Sequence, residues 1–186
     1  MDDEPTLRLG FAYALTGKTA SVETAASGRL ALERLAHSHY DILFLDLRMP
    51  EMDGLGVIEN LRAEGNEIPI VLCSAALSPN AAVRAIRHGV VHFLLKPVKP
   101  VDLRQVMSSV LHPENQPLPQ ALKAARAGDH SEAIRLLRHE ATLCKRAECW
   151  HGILKAIQEM RSDEDTTQLE ERIRVNLALL AFNALT

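Results

Sequence analysis

Two kinds of apolar run alternate along residues 1–112. Short apolar runs at 20–25, 41–46, 69–74 and 91–95 read as strands of a parallel sheet. Between them lie stretches with helical spacing, predicting helices over 5–16, 28–38, 54–64, 79–88 and 100–111. Leu7, Phe11 and Leu15 recur every fourth residue and mark the inner face of the first helix. Ser27, just ahead of Gly28, suits an N-cap. Strand and helix in alternation predict an α/β fold with a doubly wound parallel sheet.

The pattern changes after Leu111. Three prolines among polar residues in HPENQPLPQ predict a connection over 113–119. Beyond it all runs are helical in period, over 118–127, 130–145, 148–160 and 165–185, giving an all-helical domain at 120–186. Gly128-Asp129 separates the first pair, glycine ending one helix and Asp129, His130 or Ser131 capping the next. Leu169, Ile173, Leu177 and Leu180 line one side of the last helix, and such a stripe must be covered.

Composition refines this picture. The 186 residues are 47% hydrophobic but only 4% aromatic, which suits helix-rich packing. A net charge of −3 leaves no electrostatic footprint for nucleic acid. Three scattered cysteines argue for a reducing compartment, and the absence of a signal peptide or long apolar span points to the cytoplasm rather than a membrane.

The chemistry collects at strand ends. Asp46 closes the apolar run in DILFLDLRMPEMDG, Ser74 closes IPIVLCS, Lys96 closes VVHFLLK before Pro97, and Asp2 and Asp3 stand at the start. In an open α/β sheet, ligands gather outside the carboxyl ends of the strands. DDEP, LDLRMPEMDG, Ser74-Ala75 and FLLKP together resemble the receiver domain of bacterial two-component response regulators, over residues 2 to 112. The resemblance implies a flavodoxin-like fold in which Asp46 accepts a phosphoryl group from a sensor histidine kinase or phosphotransfer protein. It further implies Mg²⁺ held by Asp2, Asp3, Asp46 and the backbone carbonyl of Arg48. Lys96 and Ser74 would contact phosphoryl oxygens, and Phe93 would stand at the switch position. These residue types suit phosphoryl transfer, because a carboxylate attacks phosphorus only once the phosphoryl charge is neutralised, and Mg²⁺ binds through a few carboxylates plus substrate oxygens. Such a protein catalyses at most its own phosphorylation and dephosphorylation. A hydrolase of the haloacid dehalogenase type also uses a strand-end aspartate and Mg²⁺, but usually has a second aspartate where this chain has Arg48.

The resemblance implies strand order 2-1-3-4-5, with the first strand central, yet no apolar run precedes Asp2. Either the sheet is rearranged or the start lies upstream, where the DNA would encode about four to six residues rich in Val, Ile and Leu, as a buried parallel strand requires. As written, the α-amino group of Met1 would also compete with Mg²⁺ at the acids. A receiver-like interaction or dimerisation module that is not phosphorylated is therefore the alternative.

In the second domain, ALKAARAGDHSEAIRLLRHEA resembles part of a tetratricopeptide repeat, implying a protein-binding output. A bundle serving homodimerisation is the rival. DNA binding is disfavoured, since acidic and basic residues nearly balance from Pro113 onward. His139-Glu140 lacks the surroundings of a phosphotransfer histidine. His139, Cys144, Cys149 and His151 match no familiar zinc spacing. Trp150 reads as core, with a partner anchor as the other reading.

Overall fold

The computed structural model describes residues 1–17, 20–112, 117–141, 145–159, 172–173 and 176. Eight helices and three strands are assigned among them: α1 (Pro5–Leu15), α2 (Gly28–His37), β1 (Leu43–Asp46), α3 (Gly54–Ala63), β2 (Ile70–Ser74), α4 (Pro79–Arg87), β3 (Val90–Leu95), α5 (Pro100–Leu111), α6 (Pro117–Arg126), α7 (His130–Ala141) and α8 (Lys145–Glu159). The strands form a parallel sheet in the order β1-β2-β3. No described helix is long and apolar enough to cross a membrane.

Local chemistry fixes the helix starts. Ser27, Asp53 and Ser78 cap α2, α3 and α4, their side-chain oxygens accepting from Leu30 N, Gly56 N and Ala81 N. Proline opens α1, α4 and α5, where its missing N–H has no intrahelical partner to lose. Alternation along the strands then divides the core into two layers. Phe44, Val71, Cys73 and Leu94 face one cluster with Ala14, Leu15, Leu103 and Val106 of α1 and α5. Leu45, Ile70, Leu72 and Phe93 face the other, with α3 and α4. The doubly wound architecture is as the sequence predicts.

Residues 20–25 depart from expectation. They are not a strand. Met1 donates through its amine to Phe44 O at 2.7 Å and accepts from Asp46 N at 3.0 Å, the two bonds a parallel neighbour makes across Leu45. On the other side Asp2 N donates to Ala25 O at 3.3 Å. Met1 and Asp2 thus form the stub of a strand between residues 20–25 and β1. Below the stub lies a cavity of about 340 Å³, lined by Phe11, Leu15, Val22, Leu35, Ile42 and Phe44 among others.

The helical region packs directly onto the second layer. α6 touches β3 and α4, and α7 packs against both α6 and α8. Gly128 ends α6 with φ +84°, and Asp129 then caps α7 by accepting from Glu132 N at 2.9 Å, as Gly128-Asp129 predicts. Ala121, Ala133, Leu137, Trp150, Ile153 and Leu154 join the same buried cluster as Phe93. α6 begins inside the expected connection 113–119. Most of the expected helix 165–185, with Leu169, Leu177 and Leu180, lies outside the described residues; Ile173 is fully buried.

Candidate functional site

At the carboxyl ends of the strands, three elements bring charged groups together. β1 delivers Asp46, the stub delivers Asp2 and Asp3, and the turn after β3 delivers Lys96. Asp2 and Asp46 are buried, whereas Asp3 is exposed. Lys96 Nζ lies 2.7 Å from Asp2 Oδ2 and 2.8 Å from Asp46 Oδ1, so one ammonium bridges two carboxylates. A carboxylate oxygen from each of Asp2, Asp3 and Asp46 falls within 4.8 Å of the others.

The backbone around this cluster is constrained by the sequence that follows Asp46. Gly54 N donates to Leu47 O at 2.8 Å, drawing the start of α3 against the end of β1. A Cβ on Gly54 would lie 2.4 Å from Asp46 O, so only glycine fits where the two backbones cross. On the other flank, Arg8 Nη1 donates to Asp2 O at 2.7 Å and Asp3 O at 3.2 Å, and Glu4 N donates to Asp2 Oδ1 at 3.0 Å. These bonds hold the acidic pair at the head of α1.

Electrostatics make the site unbalanced. Burial raises the pKa of Asp46, an effect that the Lys96 hydrogen bond opposes and the charges of Asp2 and Asp3 reinforce. For Lys96, burial works against the ammonium, but hydrogen bonds to Asp2 and Asp46 outweigh it and the pKa ends above its ordinary value. Burial also lowers the pKa of the Met1 amine, although Asp2 and Asp46 pull the other way. The amine is therefore a weaker competitor for cations at the acids than its position in the chain suggests. Three carboxylates against one side-chain ammonium form a set of hard oxygen donors that suits a small divalent cation.

Ser74 is buried at the end of β2 with Lys96 N donating to its carbonyl at 2.8 Å. Its hydroxyl donates to Ala76 O at 2.7 Å and accepts from Ala76 N at 3.2 Å, so it is engaged in its own turn. Phe93 is buried on β3, opposite Leu72. Arg48 is exposed in the loop after β1. Sequence reasoning missed Arg8, whose signal is only a basic residue one turn into a helix preceded by acids. It also missed the cis peptide bond at Lys96–Pro97. Elsewhere, Cys149 is buried and His151 has a pKa lowered by burial and by Lys155 and Arg138, while Cys144 and the side chain of His139 lie outside the described residues.

Comparison with known proteins adds an independent line. Residues 1–108 match the response regulator receiver domain family. Regulatory protein AtoC of Escherichia coli (strain K12) is 34% identical over 113 residues, covering 60% of this chain and 24% of that protein. The chain spans from a fifth to about a quarter of the length of the curated relatives it matches. The solved structure of Vibrio cholerae chemotaxis protein CheY4 is 28% identical with a TM-score of 0.56, covering 59% of this chain and 93% of that one. Response regulator protein TrrA from Thermotoga maritima, solved in complex with Mg²⁺–BeF, is 24% identical and shares the fold at a TM-score of 0.53, covering 59% and 94%.

Proposed function

This chain belongs to the response regulator receiver domain family of two-component signalling, and from that premise we propose that Asp46 is its phosphoryl acceptor, with residues 1–112 as the receiver and 120–186 as a protein-binding output. The observation that carries the reading is the Lys96 ammonium bridging Asp2 and Asp46 beside Asp3 at the strand ends. A carboxylate oxygen of Asp46 attacks the phosphorus of a phosphohistidine on a kinase or phosphotransfer protein. One P–O bond forms, the P–N bond breaks, and the imidazole leaves with the electron pair. Lys96 then exchanges its contact with Asp46 for a phosphoryl oxygen, and the Ser74 hydroxyl turns from Ala76 to donate to another. Phe93 is the aromatic that responds.

Asp2, Asp3, Asp46 and the carbonyl of Arg48 would hold Mg²⁺, which suits their oxygen donors. When bound, the ion neutralises phosphoryl charge so that the carboxylate can approach. The packed pair α6 and α7, with small residues Ala121, Ala125 and Ala133 buried, supports a tetratricopeptide-like module that docks a downstream protein rather than DNA. The engagement of the Ser74 hydroxyl with Ala76 in its own turn supports a second reading, in which the receiver acts without phosphorylation.

Acetyl phosphate with Mg²⁺ separates the two. Wild-type protein should gain one phosphoryl group by intact mass, and Asp46→Asn should gain none. Incorporation by the variant at the wild-type level would assign the acceptor elsewhere; no incorporation by either protein would favour the second reading.

A further inference from the structure

Asp2 and Asp3 are neighbours, and in an extended strand neighbouring side chains point to opposite faces. Each nevertheless places a carboxylate oxygen within 4.8 Å of the other's and of one from Asp46. The chain bends at Asp3 and Glu4 before Pro5 opens α1, so the bend sets the spacing of the acids. Glu4, at the helix start, makes no side-chain capping bond. The bend is held from further along the helix instead. Arg8 N donates to Glu4 O at 3.0 Å in the first turn of α1, and the half-buried Arg8 guanidinium reaches back, Nη1 donating to Asp2 O at 2.7 Å and Asp3 O at 3.2 Å. One nitrogen gathers two consecutive carbonyls.

The two acids do not depend on that nitrogen equally. Asp2 is also fixed by Ala25 O, which accepts from its N–H at 3.3 Å, by Glu4 N on Oδ1 at 3.0 Å and by Lys96 Nζ on Oδ2 at 2.7 Å. Asp3 is exposed, and the Arg8 bond ties its carbonyl to that of buried Asp2. Charge alone argues against a basic residue here, because a guanidinium beside three carboxylates repels a cation. That repulsion is weakened by solvent at a half-buried group, whereas groups that orient metal ligands are worth about 10–100-fold in metal affinity. Both Nη1 bonds go to carbonyl oxygens, so neither consumes a carboxylate donor. Placement outweighs repulsion.

We propose that Arg8 is a positioning residue for the divalent cation: by tying the Asp2 and Asp3 carbonyls to one nitrogen it keeps both carboxylates turned to the same site, so that a basic residue raises affinity for Mg²⁺. The inference rests on Asp2 and Asp3 as Mg²⁺ ligands, and not on phosphorylation of Asp46.

Calorimetric titration of the full chain with Mg²⁺ tests it. Arg8→Gln removes both the charge and the tie, and should weaken binding about tenfold, as loss of an orienting partner does. Arg8→Lys keeps the charge and a donor on a shorter stem, and should fall between that variant and wild type, roughly threefold weaker. Charge acting alone predicts the reverse, with Arg8→Gln binding more tightly than wild type. Unchanged or tighter binding by Arg8→Gln would overturn the proposal, as would an Arg8→Lys variant weaker than Arg8→Gln. Amide exchange in the metal-free proteins locates the effect. The Glu4 amide should exchange faster in Arg8→Gln while those of Leu45 and Leu72 keep the wild-type rate; acceleration through the whole sheet would make Arg8 a general structural prop and overturn the positioning role. Should Arg8→Gln fail to fold, Arg8→Lys decides, with wild-type affinity and a wild-type Glu4 amide counting against the tie. Absence of Mg²⁺ binding by wild type would overturn the reading of the acids as ligands and this inference with it, whereas binding that Arg8→Gln leaves intact would overturn this inference alone.

Discussion

The two flanks of the β1 strand are built differently. On one side β2 and β3 continue the sheet, and Leu45, Ile70, Val71, Leu72 and Cys73 are all 0–1% exposed. On the other, residues 20–25 pair through Ala25 O with the stub of Met1 and Asp2, beside a cavity of about 340 Å³. The candidate site draws on both flanks. Ser74 and Lys96 come from the complete side, Asp2 and Asp3 from the incomplete one, and Asp46 from β1 between them. Asp46, the proposed acceptor, is thus held in the β1-β2 ladder, whereas the acids proposed to recruit Mg²⁺ stand on the two-residue stub.

Filling the cavity should have the largest effect. In a parallel ladder, alternate backbone groups face alternate sides, so the Phe44 N–H and Ile42 C=O face the cavity beyond Met1. Fusing an apolar segment such as Ile-Val-Leu-Val to the Met1 amine should pair with those groups and turn the buried amine into a peptide. Burial and ladder bonds exceed the entropy of ordering four residues by about 3 kcal/mol. Urea denaturation should show this gain, with tighter Mg²⁺ binding in the same variant, and Gly-Ser-Asp-Ser should give neither. Equal stability for the two fusions would mean that the flanks do not differ in this way.

A probe of the complete side comes next. Gly54→Ala places a methyl against Asp46 O, and relieving it means moving either the end of β1 or the start of α3. The expected cost is about 2 kcal/mol, in the range for overpacking a tight contact. Because the displaced atoms belong to Asp46 and Leu47, phosphoryl incorporation should slow as well. A stability loss without slower incorporation would show that the proposed acceptor, Asp46, tolerates backbone movement.

These positions also show what was legible in the sequence. Asp46, Ser74 and Lys96 could be placed because each closes a short, mainly apolar run, and burial on both faces favours such runs as parallel strands. Asp53-Gly54 was readable as motif, but the reason for Gly54 was not, since the backbone it must clear belongs to another element. Residues 20–25, ASVETA, hold one large apolar side chain, Val22, so the pattern behind their strand prediction was thin, and it failed. Trp150 could be read as core but its contact with Phe93 could not, because no local pattern records which helix face meets which strand.

Proton competition at Asp46 should be smaller. With its pKa raised by burial, Asp46 binds more protons folded than unfolded between its ordinary value and the raised one. Its contribution to stability therefore falls as pH rises through that window and is flat above it. If Asp46 holds Mg²⁺ as proposed, binding would displace the same proton, so apparent affinity should drop by up to about tenfold per pH unit below the raised value and level off above it. Lys96 moves oppositely in range: its stabilisation is full below the ordinary lysine value and is lost only as pH rises through the raised one. Titrations of Mg²⁺ binding at several pH values would check this, and a pH-independent affinity between pH 4 and 8 would contradict it.

The smallest effects come from two matched caps. Ser27 Oγ accepts from Leu30 N at 3.3 Å on the incomplete flank, and Ser78 Oγ accepts from Ala81 N at 3.2 Å on the complete one. Either serine changed to alanine should cost its helix about 1 kcal/mol, since the local interaction is the same. What differs is the unit that feels the loss. α4 packs against α3, β3 and α6, so weakening it should lower global stability. α2 contacts mainly α3 and borders the cavity, so it can open without the rest of the fold. Ser78→Ala should therefore shift the denaturation midpoint, whereas Ser27→Ala should chiefly speed amide exchange within α2 and leave the midpoint nearly unchanged. If both variants shift the midpoint equally, α2 unfolds with the whole and the two flanks of β1 are a single cooperative unit despite the gap between them.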